Sequence, residues 1–384
     1  MMTNLFIIYF CILSIFCILY FGIISSYTYG WFKLKNFAPN NNVLKTTITV
    51  IIPARNEENN ILNILNDLSN QKYPEKLFEV IVIDDHSTDD TYNIVSDFIK
   101  QNNTLSIKII RQTSENISDT YKKNAIAKGI DISKGELIVT TDADCRAQSG
   151  WLKIIASFYE EKKCKMIVGP VVYHNESTFF EKLQSLEFMS LVAVSAGSAS
   201  IGNPIMCNGA NLAYEKLAFD KVGGFSKDKF SSGDDVFLMI KFRKMFGSRS
   251  ITFLKNRNSF VYTKAKKTVK EFIDQRVRWA SKNKGFNFNI LFISVTVYFL
   301  NLLLLSGVII SIFNPNIFPL VALAFGIKLL IDFPILAGFV KFAKKTALLF
   351  YIVPVYLFYP VYIVISGAMG MTGNYKWKDR KIKN

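Results

Sequence analysis

Two uncharged stretches decide what this chain can fold into. Residues 5–24 (LFIIYFCILSIFCILYFGII) and residues 290–327, which open ILFISVTVYFLNLLLLSGVIISIF, contain no Asp, Glu, Lys or Arg. Apolar runs of about 20 residues match the hydrocarbon core of a bilayer. A wholly soluble fold is therefore excluded. An aromatic content of 14% excludes intrinsic disorder as well.

The positive charge is segregated too. Residues 27–240 hold 23 Lys and Arg against 26 Asp and Glu, residues 241–284 hold 14 against 2, and residues 285–384 hold 9 against 2. Basic segments placed directly before apolar ones read as a cytoplasmic surface facing anionic lipid. No zinc pattern or nucleic-acid module accompanies them, so nucleic acid is not an expected partner. The five cysteines are scattered without C-x-x-C spacing, which argues for a reducing compartment.

The opening MMTN lacks the positive region of a secretory signal, and no small-residue cleavage site follows the apolar run. Lys33 and Lys35 come next, so residues 1–30 are expected to form an anchor with the N-terminus outside. Residues 31–289 are expected to form one cytoplasmic α/β domain. Strands are expected at 47–53, 78–84, 106–111 and 135–142, and helices at 58–71, 88–100 and 121–132. Ile61, Leu62, Leu65 and Leu68 should share the inner face of the first of these helices. Strand and helix alternating at this spacing predict a mostly parallel sheet, with ligands beyond the carboxyl ends of its strands.

Residues 290–370 contain three apolar segments, near 290–312, 317–340 and 347–369. The first two read as a hairpin, returned to the cytoplasm by Lys341, Lys344 and Lys345. The last carries Pro354, Pro360 and Gly367 and precedes the basic tail 371–384. A full crossing would put that tail outside, so a kinked, re-entrant or interfacial segment and a cytoplasmic tail are expected. Within the second segment, Lys328 and Asp332 lie one turn apart, either paired or lining a polar path.

Acidic pairs stand where strands end: Asp84 and Asp85, then Asp142 and Asp144, then Asp234 and Asp235 after a glycine. One such pair is commonly no more than a turn or cap. Three together can hold a hard divalent cation, and a diphosphate is that ion's natural partner. His86 and His174 are too few and too separated for a zinc site.

Six ordered motifs carry a resemblance: IIPARNEENN (51–60), VIDDHSTDDT (82–91), TTDADC (140–145), NGANLAYEKLAFDKVGGF (208–225), SGDDVFLM (232–239) and QRVRW (275–279). The chain resembles the family 2 glycosyltransferases, whose nucleotide-sugar-binding fold is GT-A (Rossmann-like). Q-x-x-R-W followed by apolar segments resembles the membrane-bound branch, with its ceramide glucosyltransferases and its cellulose, chitin, hyaluronan and poly-N-acetylglucosamine synthases. The resemblance implies an α/β GT-A domain between transmembrane helices, in an integral protein of a bacterial inner membrane. It implies that Glu57 and Asp85 contact base and ribose, and that Lys123, taken as the Lys-x-x-Ala lysine in KNAIAKG, approaches the diphosphate. Asp142 would hold the nucleotide, and Asp144 with Asp142 a Mg²⁺ or Mn²⁺ ion. Asp235 would be the general base, and Gln275, Arg278 and Trp279 would match Q-x-x-R-W. Asp234 stands where Glu is usual, and His86 where Gly is usual.

The chemistry suits these residue types. A metal and Arg278 can stabilise a departing nucleoside diphosphate, and a carboxylate can deprotonate an acceptor hydroxyl. One base without an enzyme nucleophile implies inversion in a single displacement. The expected donor is a nucleotide sugar such as a UDP-sugar, and the expected acceptor a lipid or lipid-linked group. A processive polysaccharide synthase is the alternative enzyme, and an inactive membrane-binding scaffold the alternative of another class.

Overall fold

The structure, a computed structural model, describes residues 2–40, 43–102, 104–112, 121–226, 233–371, 374–377 and 380–383. Helix α1 (Met2–Lys33) opens the chain. Strand and helix then alternate through β1 (Ile48–Ala54), α2 (Ile61–Ser69), β2 (Phe78–Asp84), α3 (Thr91–Gln101), β3 (Ser106–Arg111), α4 (Tyr121–Asp131) and β4 (Leu137–Thr140). The middle of the chain holds β5 (Arg146–Ala147), α5 (Trp151–Lys162), β6 (Met166–Val168), β7 (Val171–Tyr173) and α6 (Phe179–Ser200). There follow β8 (Leu212–Glu215), α7 (Lys216–Lys221), α8 (Asp234–Phe246), β9 (Ile251–Phe253) and β10 (Val261–Thr263). Helices α9 (Val269–Ala280), α10 (Phe288–Phe313), α11 (Phe318–Phe342) and α12 (Ile352–Met371) complete the helical part, and two strands, Asn374–Trp377 and Arg380–Lys383, pair beyond them.

The chain divides into two compact units. One is the α/β unit of residues 34–176, 202–265 and 376–384. Its main sheet runs β3-β2-β1-β4-β8-β6-β9, with β5-β10-β7 as a smaller second sheet. β1 pairs parallel with both β2 and β4, and β2 with β3. In the main sheet β8 runs antiparallel to its neighbours β4 and β6. The mostly parallel α/β architecture is thus as expected. The central strands are apolar on both faces because helices cover both: Val50, Ile51, Ile52, Val80, Ile81, Val82 and Ile83 are all fully buried. In α2 the inner face is Ile61, Ile64, Leu65 and Leu68. Leu62, expected on that face, is exposed, since positions i, i+3, i+4 and i+7 share one side of a helix and i+1 does not.

The other unit is helical and comprises residues 1–33, 177–201 and 266–375. The α/β domain is therefore not the unbroken 31–289 that the sequence suggests, because α6 and α9 leave it for the helical unit. α6 leaves because its small residues let backbones touch. A Cβ on Gly197 would lie 2.2 Å from the Tyr27 carbonyl oxygen, and one on Gly30 would lie 2.1 Å from that of Gly197. Only glycines admit this approach of α6 to α1.

Among the described residues, four helical stretches are long and apolar enough to cross a membrane: Phe6–Lys33, Phe288–Phe313, Pro315–Phe342 and Thr346–Met371. The last contains α12, an uninterrupted helix through Pro360 rather than a re-entrant pair. Lys328 and Asp332 pair with each other at 2.7 Å, and the Tyr20 hydroxyl donates to Asp332 at 2.7 Å. The rings of Tyr20, Tyr356 and Tyr359 surround the Lys328 ammonium. A charge pair in so apolar a segment survives because it is neutral overall and enclosed by polarisable rings.

Candidate active site

Parallel pairing sets the site. β1, β2 and β4 lie side by side with Ala54 opposite Asp84 and Ile51 opposite Thr140, so their carboxyl ends share one edge of the sheet. Glu57 follows β1, Asp85 follows β2, and Asp142 and Asp144 follow β4. β8 runs the other way, which brings its amino end, Gly209–Asn211, to the same edge; Thr140 Oγ1 donates to the Gly209 carbonyl at 2.7 Å. Asp235 reaches the edge through its carboxylate, which accepts from the Gly209 N–H at 3.2 Å.

Asp234 and Asp235 form the first turn of α8, where the helix dipole favours negative charge. The N-cap is Gly233, at φ +83°, a left-handed conformation that glycine adopts without strain. Asp235 is thus not the cap. Gly209 also allows close approach, since a Cβ there would lie 3.2 Å from Asp234 Oδ2.

Lys122, the second residue of α4, joins the two acid pairs. Its ammonium sits 2.7 Å from Asp142 Oδ1 and 3.6 Å from Asp234 Oδ2. Burial acts to lower its pKa, but Asp142 and Asp234 outweigh that and hold it above the usual lysine range. The Lys-x-x-Ala spacing is in fact met by Lys122 with Ala125. Lys123, the lysine singled out from the sequence, is buried with its ammonium 5.0 Å from the centre of the Phe237 ring. Adjacent helical residues point about 100° apart, and it is the Lys122 ammonium that meets Asp142 and Asp234.

A second group lies at the ends of β1 and β2. Asp85 is buried, and His86 Nδ1 lies 2.9 Å from its Oδ1. His86 has φ +56°. The turn expected to manage without glycine does so through a set of hydrogen bonds. The Arg55 guanidinium donates to the Asp85 and His86 carbonyls, and the Ser87 N–H to Asp84 Oδ1. Glu57 is buried, its Oε2 accepting from Asn60 and its N–H donating to Thr91 Oγ1.

Asp142, Asp144 and Cys145 each offer a ligand atom, and these atoms lie within 4.8 Å of one another. That spread suits a single ion with ligands at about 2.0–2.6 Å. Burial, then Asp144 and Asp142, push the Cys145 thiol well above its usual pKa. The two carboxylates are therefore the natural ligands for a hard cation, and the residues fit one.

Gln275, Arg278 and Trp279 lie on α9, in the helical unit. There Arg276 NH1 donates to Gln275 Oε1 at 2.6 Å, and the Trp279 ring packs on Phe188 with centroids 6.0 Å apart. Arg278 is half-buried in the last turn of α9.

Comparison with known proteins shows the family. Residues 49–223 match Glycosyl transferase family 2, and residues 137–369, more than half of the chain, match Glycosyl transferase family group 2. The chain belongs to glycosyltransferase family group 2. This glycosyltransferase is 25% identical over 190 residues to a beta-monoglucosyldiacylglycerol synthase of Nostoc sp., across 49% of its own length and 40% of that enzyme's. It is 23% identical over 269 residues to a poly-beta-1,6-N-acetyl-D-glucosamine synthase of Staphylococcus epidermidis, across 68% of its own length and 61% of the relative's. It thus spans less than two thirds of these relatives. Its fold is like that of a mannosyltransferase from Pyrobaculum calidifontis solved in complex with GDP-Man and Mn²⁺. There the TM-score is 0.55 at 19% identity, covering 90% of this chain and 98% of that one.

Proposed function

We propose that this glycosyltransferase moves a sugar, with inversion, from a nucleoside-diphosphate donor to a membrane lipid or lipid-linked acceptor. The observation that carries the reading is Lys122 standing between Asp142 and Asp234. It ties the acids that would hold the donor to those beside the base at one sheet edge.

Asp142 and Asp144 would hold Mg²⁺ or Mn²⁺, and such an ion neutralises charge that develops on a departing diphosphate. Lys122 supplies a fixed positive charge at the same place. Glu57 and Asp85 bind the base and ribose of the nucleotide. Asp235, held by the Gly209 N–H, accepts the proton of the acceptor hydroxyl as that oxygen attacks. Asp234 balances Lys122 and keeps the ammonium charged. By the resemblance, Gln275, Arg278 and Trp279 serve the transfer step, with Arg278 supporting the leaving diphosphate. The likeness to the Nostoc lipid glucosyltransferase favours a lipid acceptor. The likeness to the Staphylococcus polysaccharide synthase favours the second reading, a processive synthase. The basic segment 241–284 supports a cytoplasmic catalytic unit facing anionic lipid.

Membranes containing the protein, incubated with labelled UDP- and GDP-sugars and then extracted for lipids and polymers, test this reading. A labelled single-sugar lipid supports lipid transfer, and a long polymer supports the synthase. Turnover that persists after exhaustive chelation would remove the metal from the reading.

A further inference from the structure

One buried ion pair of the helical unit lies outside these assignments. Arg276 and Glu187 are each 4% exposed and pair side chain to side chain between α9 and α6. The Tyr362 hydroxyl of α12 donates to the other oxygen of Glu187 at 2.7 Å. Arg276 in turn donates to Gln275 Oε1 at 2.6 Å, and its guanidinium lies 4.4 Å from the Phe272 ring centre and 4.3 Å from that of Trp279. One planar cation thus touches two of the three residues matching Q-x-x-R-W. It fixes the Gln275 amide by a hydrogen bond and the Trp279 indole by stacking.

A charge pair this buried is poor value as plain stabilisation, because desolvating both ions costs about what their attraction returns. A fork that donates in two directions while stacking on two rings gives something else, which is orientation. Lysine could supply the charge without that geometry. We propose that Arg276, oriented by Glu187 and Tyr362, is a positioning residue that holds Gln275 and Trp279 in place for sugar transfer. This rests on the function proposed above, since it takes α9 to serve the transfer step.

Three variants in the full chain test it: Arg276→Lys, Tyr362→Phe and the double change Arg276→Met with Glu187→Leu. The double change removes both charges together and leaves apolar side chains of similar bulk, which such sites usually tolerate. For every folded variant, kcat for transfer and the donor Kd are measured. The tryptophans are labelled with 5-fluorotryptophan, and the Trp279 fluorine line is assigned by Trp279→Phe. The expected result for Arg276→Lys and the double variant is a tenfold or greater fall in kcat, a donor Kd within threefold of the parent, and a shifted or broadened Trp279 line. Tyr362→Phe should fall in the same direction by a smaller factor. A folded double variant with kcat within threefold of the parent and an unmoved Trp279 line would overturn the proposal. If the double variant is not recovered folded, Arg276→Lys decides by the same two measurements. The fluorine line needs no substrate, so it separates a failure here from a failure of the proposed function.

Discussion

Asp235 and Asp144 lie along one sheet edge and are expected to fail in different ways when changed. Asp235→Asn keeps the volume and an acceptor for the Gly209 N–H but cannot take a proton. Losing a positioned base costs about 10²–10⁴ in rate, while donor binding should persist. Asp144→Ala should instead weaken donor binding that depends on the metal. Were Asp235 there only to complement the helix terminus, its replacement would cost about 0.3–1 kcal/mol of stability and leave turnover near normal. Donor titration with initial rates on both variants decides between these outcomes; a folded Asp235→Asn enzyme within threefold of the parent rate would exclude it as the base.

Lys122 supports a prediction about pH. Its pKa is raised above the ordinary lysine value by Asp142 and Asp234. A raised cation contributes its full stability below the unfolded-state pKa, about 10.4, and loses it only as pH climbs through the higher folded value. Lys122→Met should therefore lower the melting temperature by a constant amount between pH 6 and pH 9.5. A difference that shrinks within that window would mean that the acids do not hold the proton on Lys122.

At the scale of elements, the contact between α1 and α6 depends on two glycines. A Cβ at Gly197 meets the Tyr27 carbonyl oxygen, which belongs to the backbone and cannot swing aside. Overpacking of this kind costs about 1–3 kcal/mol. Gly197→Ala should lower the melting temperature in detergent by several degrees. Gly22 of α1 is the control, because nothing lies within 4 Å of a Cβ added there. Gly22→Ala should hold or raise stability, since alanine is favoured over glycine in a helix by about 0.8–1.0 kcal/mol. Equal responses at the two positions would refute the packing argument.

At the scale of the molecule, chain connections bear on how the tail returns. The chain leaves the α/β unit after Glu176 for α6 and returns to it at Gly202. Phe179, its first residue, packs against Tyr351, just before α12. At the far end of α12, a Cβ on Gly370 would lie 2.7 Å from Ala280, the last residue of α9. Both contacts lie within the helical unit. We expect α1, α10 and α11 to cross, α12 to lie along the membrane face, and the tail to share a side with the catalytic unit. The positive-inside preference agrees, with five Lys or Arg against one acid from residue 375 to 384. Labelling of Lys383→Cys by an impermeant thiol reagent should require permeabilised cells; labelling of intact cells would mean that α12 crosses. Residues 372–373, 378–379 and 384 of the tail lie outside the described residues.

The sequence by itself determined what repeats locally. The apolar strands with acids at their ends, the helices between them and the long uncharged stretches all follow from backbone hydrogen bonding and burial, which leave a short period in the chain. β2 and β3 fall on the residues expected of them, and Asp142 and Asp144 follow β4 as their position predicts. Only the tertiary structure showed the acids that Lys122 meets, Asp142 and Asp234, because the packing of α4 on β1 and β2 fixes where its side chains point. It likewise took α6 and α9 out of the α/β domain and joined Arg276 to Glu187, 89 residues away. Such pairings are chosen by complementary shape and charge between distant segments, and a distance along the chain carries no periodic trace of them.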